Sequence, residues 1–330
     1  GIGARSKLLY RAMAQKTPSR NKNEWGEKMT CEAAEHKHAY LIMAHDKPRQ
    51  LEILLSLLDD PRNDIYLHLD SRLAIDLSAF SEQVCHSNLF FVERDAVRWG
   101  HSSLVACELK LLTAAVNKQA YEFYHLLSGA DLPLYTQELI HSFFDVHAGE
   151  IFLAFDNFVS KAERDRVALY HPFVGRRGRH RSLSENAKFA LDVALEKLQG
   201  FLRIDRIPAG IEIKKGSQWF SIPDGLACDV VNHSEEIMRM CRYSNCADEV
   251  FLQTFVWNSA WRENLFLSGV HLERPMERSM RLIDWEKGGP YTWTIGDYEE
   301  LSASEMMFAR KFDIDVDERI IFKLATELMK

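Results

Sequence analysis

The residues able to do chemistry in this 330-residue sequence gather in a few polar segments, each following a short apolar run. They are His45-Asp46-Lys47, Asp70-Ser71-Arg72, Arg94 to Gly100 and Ser128-Gly129-Ala130-Asp131. Further on stand Asp248-Glu249, the basic pair Arg310-Lys311, and Asp313-Ile314-Asp315-Val316-Asp317. On its own, Glu249 reads as a first-turn carboxylate stabilising a helix N-terminus, and Lys311 as a solvated lysine near the chain end. The three terminal aspartates spell the Asp-x-Asp pattern whose hard oxygens suit Mn²⁺ or Mg²⁺. Neither GxGxxG nor GxxxxGK[ST] follows the first apolar run, which disfavours dinucleotide enzymes and P-loop kinases. The six cysteines form no CxxC pair. Cys241 and Cys246 lack the flanking ligands of a zinc site, so they read as reduced thiols in a cytoplasmic protein.

The elements that position these segments alternate. Ala39–Ala44, Ile65–Leu69, Leu89–Val92 and Phe123–Leu127 read as buried strands. Helices are expected over Arg49–Leu58, Ala74–Gln83 and Ser102–Asn117, where apolar residues recur at helical spacing. Strand and helix in alternation predict a parallel sheet covered by helices, which binds ligands at the carboxyl ends of its strands. The second half is less regular: a strand at Ile151–Phe155, a helix from Leu183 to Leu198, a turn at Gly216–Ser221 leading into a strand, and a helix N-terminus at Ala247–Gln253. Residues 1–37 are basic and read as an N-terminal extension or cloning remnant, with translation starting at Met29. Residues 38–330 read as a single domain, with a regular half at 38–150 and an elaborated half at 151–330. Apolar residues make up 46% and charged residues 27% of the chain, which excludes disorder and fibrous repeats. A net charge of −7 argues against a nucleic-acid partner. No apolar run approaches the ~20 residues needed to span a bilayer, so at most peripheral membrane contact is expected.

Seven blocks, in order, resemble the core-2/I-branching β-1,6-N-acetylglucosaminyltransferase family, which includes the peptide O-xylosyltransferases. They are Tyr66-Leu-His-Leu-Asp70, Arg98-Trp-Gly-His-Ser-Ser-Leu-Val105, Leu126-Leu-Ser-Gly-Ala-Asp-Leu-Pro-Leu134, Gly216-Ser-Gln-Trp-Phe220, Asp248-Glu-Val-Phe-Leu-Gln-Thr254, Ile283-Asp-Trp285 and Phe308-Ala-Arg-Lys-Phe-Asp313. The resemblance implies a GT-A-type α/β glycosyltransferase fold with a central, mostly parallel sheet flanked by helices. It also implies an inverting, metal-independent transfer from a UDP-sugar, GlcNAc before xylose, to a glycan or lipid-linked glycan. Golgi relatives carry a transmembrane stem and many cysteines, so this chain looks more like a soluble bacterial member. The alternative is a non-catalytic carbohydrate-binding protein on a degenerate transferase fold, against which the presence of both Glu249 and Lys311 argues.

The resemblance also assigns roles. Glu249 matches the catalytic glutamate that accepts the acceptor's proton, and Lys311 matches the lysine that offsets the diphosphate's charge, with Arg310 able to fill the same role. A second cation is expected near Gly288–Tyr291, where Lys287 and Arg281 are candidates. Asp70 matches a nucleotide contact, His45 and Ala44 line the uracil pocket, and Asp131 orients the donor sugar or caps its turn. Trp285 packs against the acceptor sugar with Ser217 and Gln218 facing the cleft, while Trp219 is core and Trp99 packs beneath the donor site. The terminal aspartates read as a solvated turn, and no metal ligand is assigned. The cluster Arg176-Arg177-Gly178-Arg179-His180-Arg181 reads as an exposed loop or as the contact of an anionic acceptor.

Overall fold

A computed structural model describes residues 36–173, 183–267 and 275–330. The first apolar run becomes β1 (His38–Ala44), buried along its whole length. It is followed by α1 (Pro48–Leu58), whose Leu51, Leu54, Leu55 and Leu58 pack inward. Then come β2 (Asn63–Leu69), α2 (Ser78–Ser81), β3 (Asn88–Phe91), α3 (Ser103–Val116) and β4 (Phe123–Ser128). The helix expected over Ala74–Gln83 shrinks to the four residues of α2. The Asp76 carboxylate accepts the Ser78 N–H at 3.0 Å, a local turn that competes with helix upstream.

The second half continues with β5 (Asp131–Pro133), α4 (Gln137–Val146), β6 (Phe152–Leu153), α5 (Lys161–Ala168), α6 (Leu183–Phe201), β7 (Phe220–Pro223), α7 (Asp224–Asn232) and α8 (Ser234–Cys241). A 3-10 turn at Ala247–Glu249 precedes α9 (Phe251–Trp257). The chain ends with β8 (Arg281–Ile283), α10 (Tyr298–Ala303), β9 (Phe308–Arg310) and α11 (Ile314–Leu328). Glu249 therefore belongs to the turn before the helix rather than to its first turn.

Six strands form the central sheet in the order β3-β2-β1-β4-β7-β6. β3, β2, β1 and β4 pair in parallel, and β7 and β6 join antiparallel. This is the expected α/β architecture of a central, mostly parallel sheet flanked by helices, and β7 and β6 from the second half extend the sheet begun by the first. Side chains alternate along β1 with the period of a strand. Tyr40, Ile42 and Ala44 pack with α1, α4 and α11 on one face, while Ala39, Leu41 and Met43 pack with α3, α7 and α9 on the other.

A second sheet, β5-β9-β8, sits at the carboxyl end of β4. Arg281 on β8 is buried and locks the two sheets together. Its guanidinium donates to Ser221 Oγ (2.8 Å), the Phe220 carbonyl (2.5 Å) and the Leu126 carbonyl (3.3 Å), and faces the Phe308 ring at 4.9 Å. With its donors so committed, Arg281 is a clamp and not the second phosphate cation. Among the described residues, no helix is long and apolar enough to cross a membrane.

Candidate active site

Segment Gly216–Trp219 links the two halves of the site. The Gly216 N–H donates to the Glu249 carbonyl at 2.9 Å. A Cβ at Gly216 would lie 1.9 Å from the Ala154 carbonyl oxygen, so only glycine fits this close approach. Two residues on, Gln218 Nε2 donates to Glu108 Oε1 at 2.9 Å and reaches Met43 at the end of β1. Trp219, buried as expected, lies under the Arg310 guanidinium at 4.3 Å from the ring centre. Three residue steps span roughly 10 Å at most, so the Glu249 turn and the Arg310-Lys311 strand end flank one short segment.

The Glu249 carboxylate is about one-third exposed and meets two cations. Its Oε2 lies 3.3 Å from Arg166 and 3.7 Å from Lys215. Lys215 also contacts Asp156 at 2.6 Å and Glu163 at 3.6 Å, and this carboxylate company raises its pKa against the opposing pull of burial. Glu163 is itself fixed by a capping box with Ser160 at the start of α5. The result is a carboxylate held in place yet open to solvent, as a proton acceptor for an incoming hydroxyl must be.

Behind it lie two buried acids. Among the described residues, Asp248 Oδ1 and Glu108 Oε2 have no hydrogen-bond partner. Burial, reinforced by the charge of Glu249, pushes the Asp248 carboxyl up to about 7. Burial with the nearby Asp248 holds Glu108 well above the usual carboxylate range. Unpaired buried carboxylates are costly to ionise, so both acids resist taking up a negative charge in this setting.

On the opposite side, the register of the second sheet sets Asp131 across from Arg310. Asp131 is buried, accepting from Arg310 at 2.7 Å and from the Ser128 N–H at 2.6 Å. Arg310 also donates to Ser128 Oγ. Both side chains are thus spent on each other. Lys311 follows, its backbone tied to Tyr291 and Trp293. Its half-buried ammonium makes no hydrogen bond or ion pair to another described residue. Lys287 approaches the same aromatic pair, 5.4 Å from Tyr291 and 5.7 Å from Trp293. It is half exposed and paired with Asp284 and Glu300 at 3.2 Å each.

The other expected site residues divide. Ala44 is buried at the end of β1, where a Cβ on Gly129 would come within 3.1 Å of it, and His45 is exposed beside it. Asp70 is buried and saturated: Arg72 donates twice, at 2.7 and 2.6 Å, and the Arg72 and Val97 N–H groups at 2.9 Å each. The Arg72 guanidinium holds its carboxyl far below the usual range. Asp70 therefore organises the 95–98 loop through its carboxylate. Ser217 is buried and Gln218 turns to Glu108, so these two support the cleft from beneath. Trp285 is exposed at the surface after β8.

Two further sequence readings change. Trp99 is 61% exposed and does not pack beneath the donor site, because the Gly100 turn carries it outward. The terminal aspartates are a solvated turn only in part, Asp315 being exposed. Lys47 pairs with Asp313 at 3.0 Å and with Asp315, while Asp317 is buried, accepting from Arg319 and from the Ile295 N–H. Neither Arg166 nor Lys215 was singled out, and no motif marks them; only their approach through α5 and Gly216 reveals them. Cys241 and Cys246 are buried and not joined by a disulfide. The Arg176–Arg181 cluster and most of the basic extension lie outside the described residues.

The chain matches the profile of the Core-2/I-Branching enzymes over residues 38–307 and belongs to that glycosyltransferase family. Among its relatives is Xylosyltransferase oxt of Drosophila pseudoobscura pseudoobscura, 22% identical over 306 residues, covering 87% of this chain and 32% of that protein. Xylosyltransferase 2 of Bos taurus is 25% identical over 305 residues, covering 87% of this chain and 33% of that protein. The chain thus spans about a third of the length of these relatives. Among solved structures, apo mouse Xyloside xylosyltransferase 1 aligns with a TM-score of 0.37 and 10% identity, over 82% of this chain and 96% of that one.

Proposed function

We propose that this chain is an inverting glycosyltransferase that moves a sugar from a UDP-sugar to a hydroxyl of a glycan acceptor by single displacement. The acceptor oxygen bonds to the anomeric carbon as the bond from that carbon to the diphosphate oxygen breaks. The hydroxyl proton passes to Glu249, and UDP leaves with the bonding electrons. Lys311 offsets the negative charge that develops on the diphosphate, which electrostatic preorganisation makes worth several kcal/mol in a sheltered site. The observation that carries this reading is the Glu249 carboxylate, held by Arg166 and Lys215 and open to solvent, on a chain of this family.

The leaving-group chemistry is proposed to need no metal. Asp131 is committed to Arg310, and Asp313 and Asp315 to Lys47, so these carboxylates around the Arg310-Lys311 strand end already have cationic partners. Trp285, apolar and exposed, suits the C–H face of an acceptor sugar. The sequence pattern favours UDP-GlcNAc as donor, whereas the names of the relatives favour UDP-xylose; the second is the stronger lead. Measuring UDP release from each donor in water, and then with glycan acceptors, tests the reading. Slow release from at least one donor is expected. Binding of both without release would favour a carbohydrate-binding protein instead.

A further inference from the structure

His171, just after α5, lies between two acids of α6. Its Nδ1 is 3.3 Å from Asp192 Oδ2 and 3.3 Å from Glu196 Oε1. Its Nε2 lies 3.0 Å from the Asp165 carbonyl oxygen. A carbonyl only accepts, so Nε2 carries a hydrogen and, in the neutral ring, Nδ1 presents a bare lone pair. Three electron-rich atoms then converge, with no cation paired to them among the described residues. A single proton on Nδ1 serves this arrangement poorly, because both contacts exceed the normal N–H···O range of ~2.7–3.2 Å. Asp192 Oδ1 is moreover buried without a hydrogen-bond partner among the described residues.

A divalent ion resolves all of this. Zinc bonds imidazole nitrogen and carboxylate oxygen at ~2.0–2.2 Å, and tetrahedral geometry at those lengths separates neighbouring ligand atoms by roughly 3.3–3.5 Å. The two distances from Nδ1 match that spacing. A metal-ligating histidine typically donates its other N–H to a backbone carbonyl, which fixes ring and tautomer, as the Asp165 carbonyl does here. We infer that His171, Asp192 and Glu196 form a zinc site that ties α6 to the body of the protein.

The ligands are held ready for it. The His171 N–H donates to the Tyr243 carbonyl at 2.7 Å. Gln199 on α6 bonds both backbone groups of Tyr170, at 2.8 and 2.9 Å. Asp192 and Glu196 are one turn apart on the same helix, so they share a face. An imidazole beside two carboxylates selects zinc over magnesium or calcium, which take oxygen ligands. Three protein ligands leave one coordination position for water. The site is separate from Glu249 and independent of the transferase reading, although α5 supports both through the Asp165 carbonyl and the Arg166 side chain.

The test is metal content and thermal stability of the full chain after chelator dialysis and titration with zinc alone. The wild type is expected to retain one zinc per chain after desalting, with a raised melting temperature, and magnesium or calcium to produce no rise. Glu196→Gln lies on a partly exposed helix face and spares the fold. It is expected to weaken zinc binding by at least ~10-fold, and Asp192→Asn to do the same. Cobalt in place of zinc should give visible ligand-field bands in the wild type that both variants lose. A wild type that takes up no zinc, or variants that bind it as tightly as the wild type, would overturn the site and leave a histidine–carboxylate cluster in its place.

Discussion

Adjacent residues on one strand end, Arg310 and Lys311, should fail in opposite ways when truncated. Arg310→Ala removes the partner of Asp131, which is buried and keeps only the Ser128 N–H at 2.6 Å. Breaking a buried ion pair costs ~3–5 kcal/mol because a charge is left uncompensated. Arg310 is itself about one-fifth exposed, so the lower end, about 3 kcal/mol, is the appropriate figure. At ~2–4 °C per kcal/mol for a chain of this order, the melting temperature should fall by roughly 6–12 °C. Adding Asp131→Asn removes the stranded charge and should recover much of the loss, so the double variant should melt above Arg310→Ala alone. Lys311→Ala removes an ammonium that makes no hydrogen bond or ion pair among the described residues and acts on Asp313 only through space, so the melting temperature should stay nearly unchanged. UDP affinity, measured by calorimetry, should instead fall by the ~1.5–3 kcal/mol of a charge-assisted contact, or roughly 10- to 150-fold. The reasoning is refuted if Arg310→Ala keeps its stability while losing UDP affinity, or if Lys311→Ala binds UDP as the wild type does. Either result would make Arg310 the diphosphate ligand or move that role off this strand.

Two further outcomes follow from the same geometry. Burial raises the folded-state pKa of Asp248 to about 7, against ~3.9 in the unfolded chain, so between these values the native state holds a proton that the unfolded state has released. Stability should therefore be greatest below about pH 4 as far as this group is concerned. It should decline as pH rises towards 7, by at most ~1.4 kcal/mol per unit. Urea titrations from pH 5 to 8 should show a shallower decline in Asp248→Asn, and parallel slopes would count against Asp248 as a titrating group. Transfer should also persist in excess EDTA when read as an initial rate well below the melting temperature, whatever chelation does to stability through His171. Loss of the rate with rescue by Mn²⁺ would show that the departing diphosphate depends on a metal.

Much of the fold was legible because buried parallel strands and amphipathic helices leave strong periodic signals, as at His38–Ala44 and Pro48–Leu58. Gly216 was legible within its block, and its reason is steric: the Ala154 carbonyl leaves no room for a side chain. What escaped the sequence was pairing across long separations. Arg281 looked available for phosphate, yet the β8–β9 register buries it against β4 and β7. Arg166 and Lys215 reach Glu249 from 83 and 34 residues away, and neither position carries a pattern of its own. Trp99 was assigned to packing because tryptophan usually packs, while the Gly100 turn at φ 73° aims the chain outward. Asp192 and Glu196 show helical spacing, but their third partner, His171, stands 21 residues before Asp192, just after α5.

The central claim is that Glu249 takes the acceptor proton, and Glu249→Gln tests it most directly. Glutamine keeps the shape of the side chain but cannot accept the proton, and a positioned base contributes ~10²–10⁴ in rate. Transfer from the donor that the wild type uses should fall by about that factor. UDP affinity should be unchanged, because donor binding rests on the Lys311 side of the site. The contacts to Arg166 and Lys215 are partly exposed, so their weakening should cost no more than ~1 kcal/mol of stability. A variant that transfers within a few-fold of the wild-type rate, while melting normally and binding UDP normally, would contradict the assignment of Glu249 as the base.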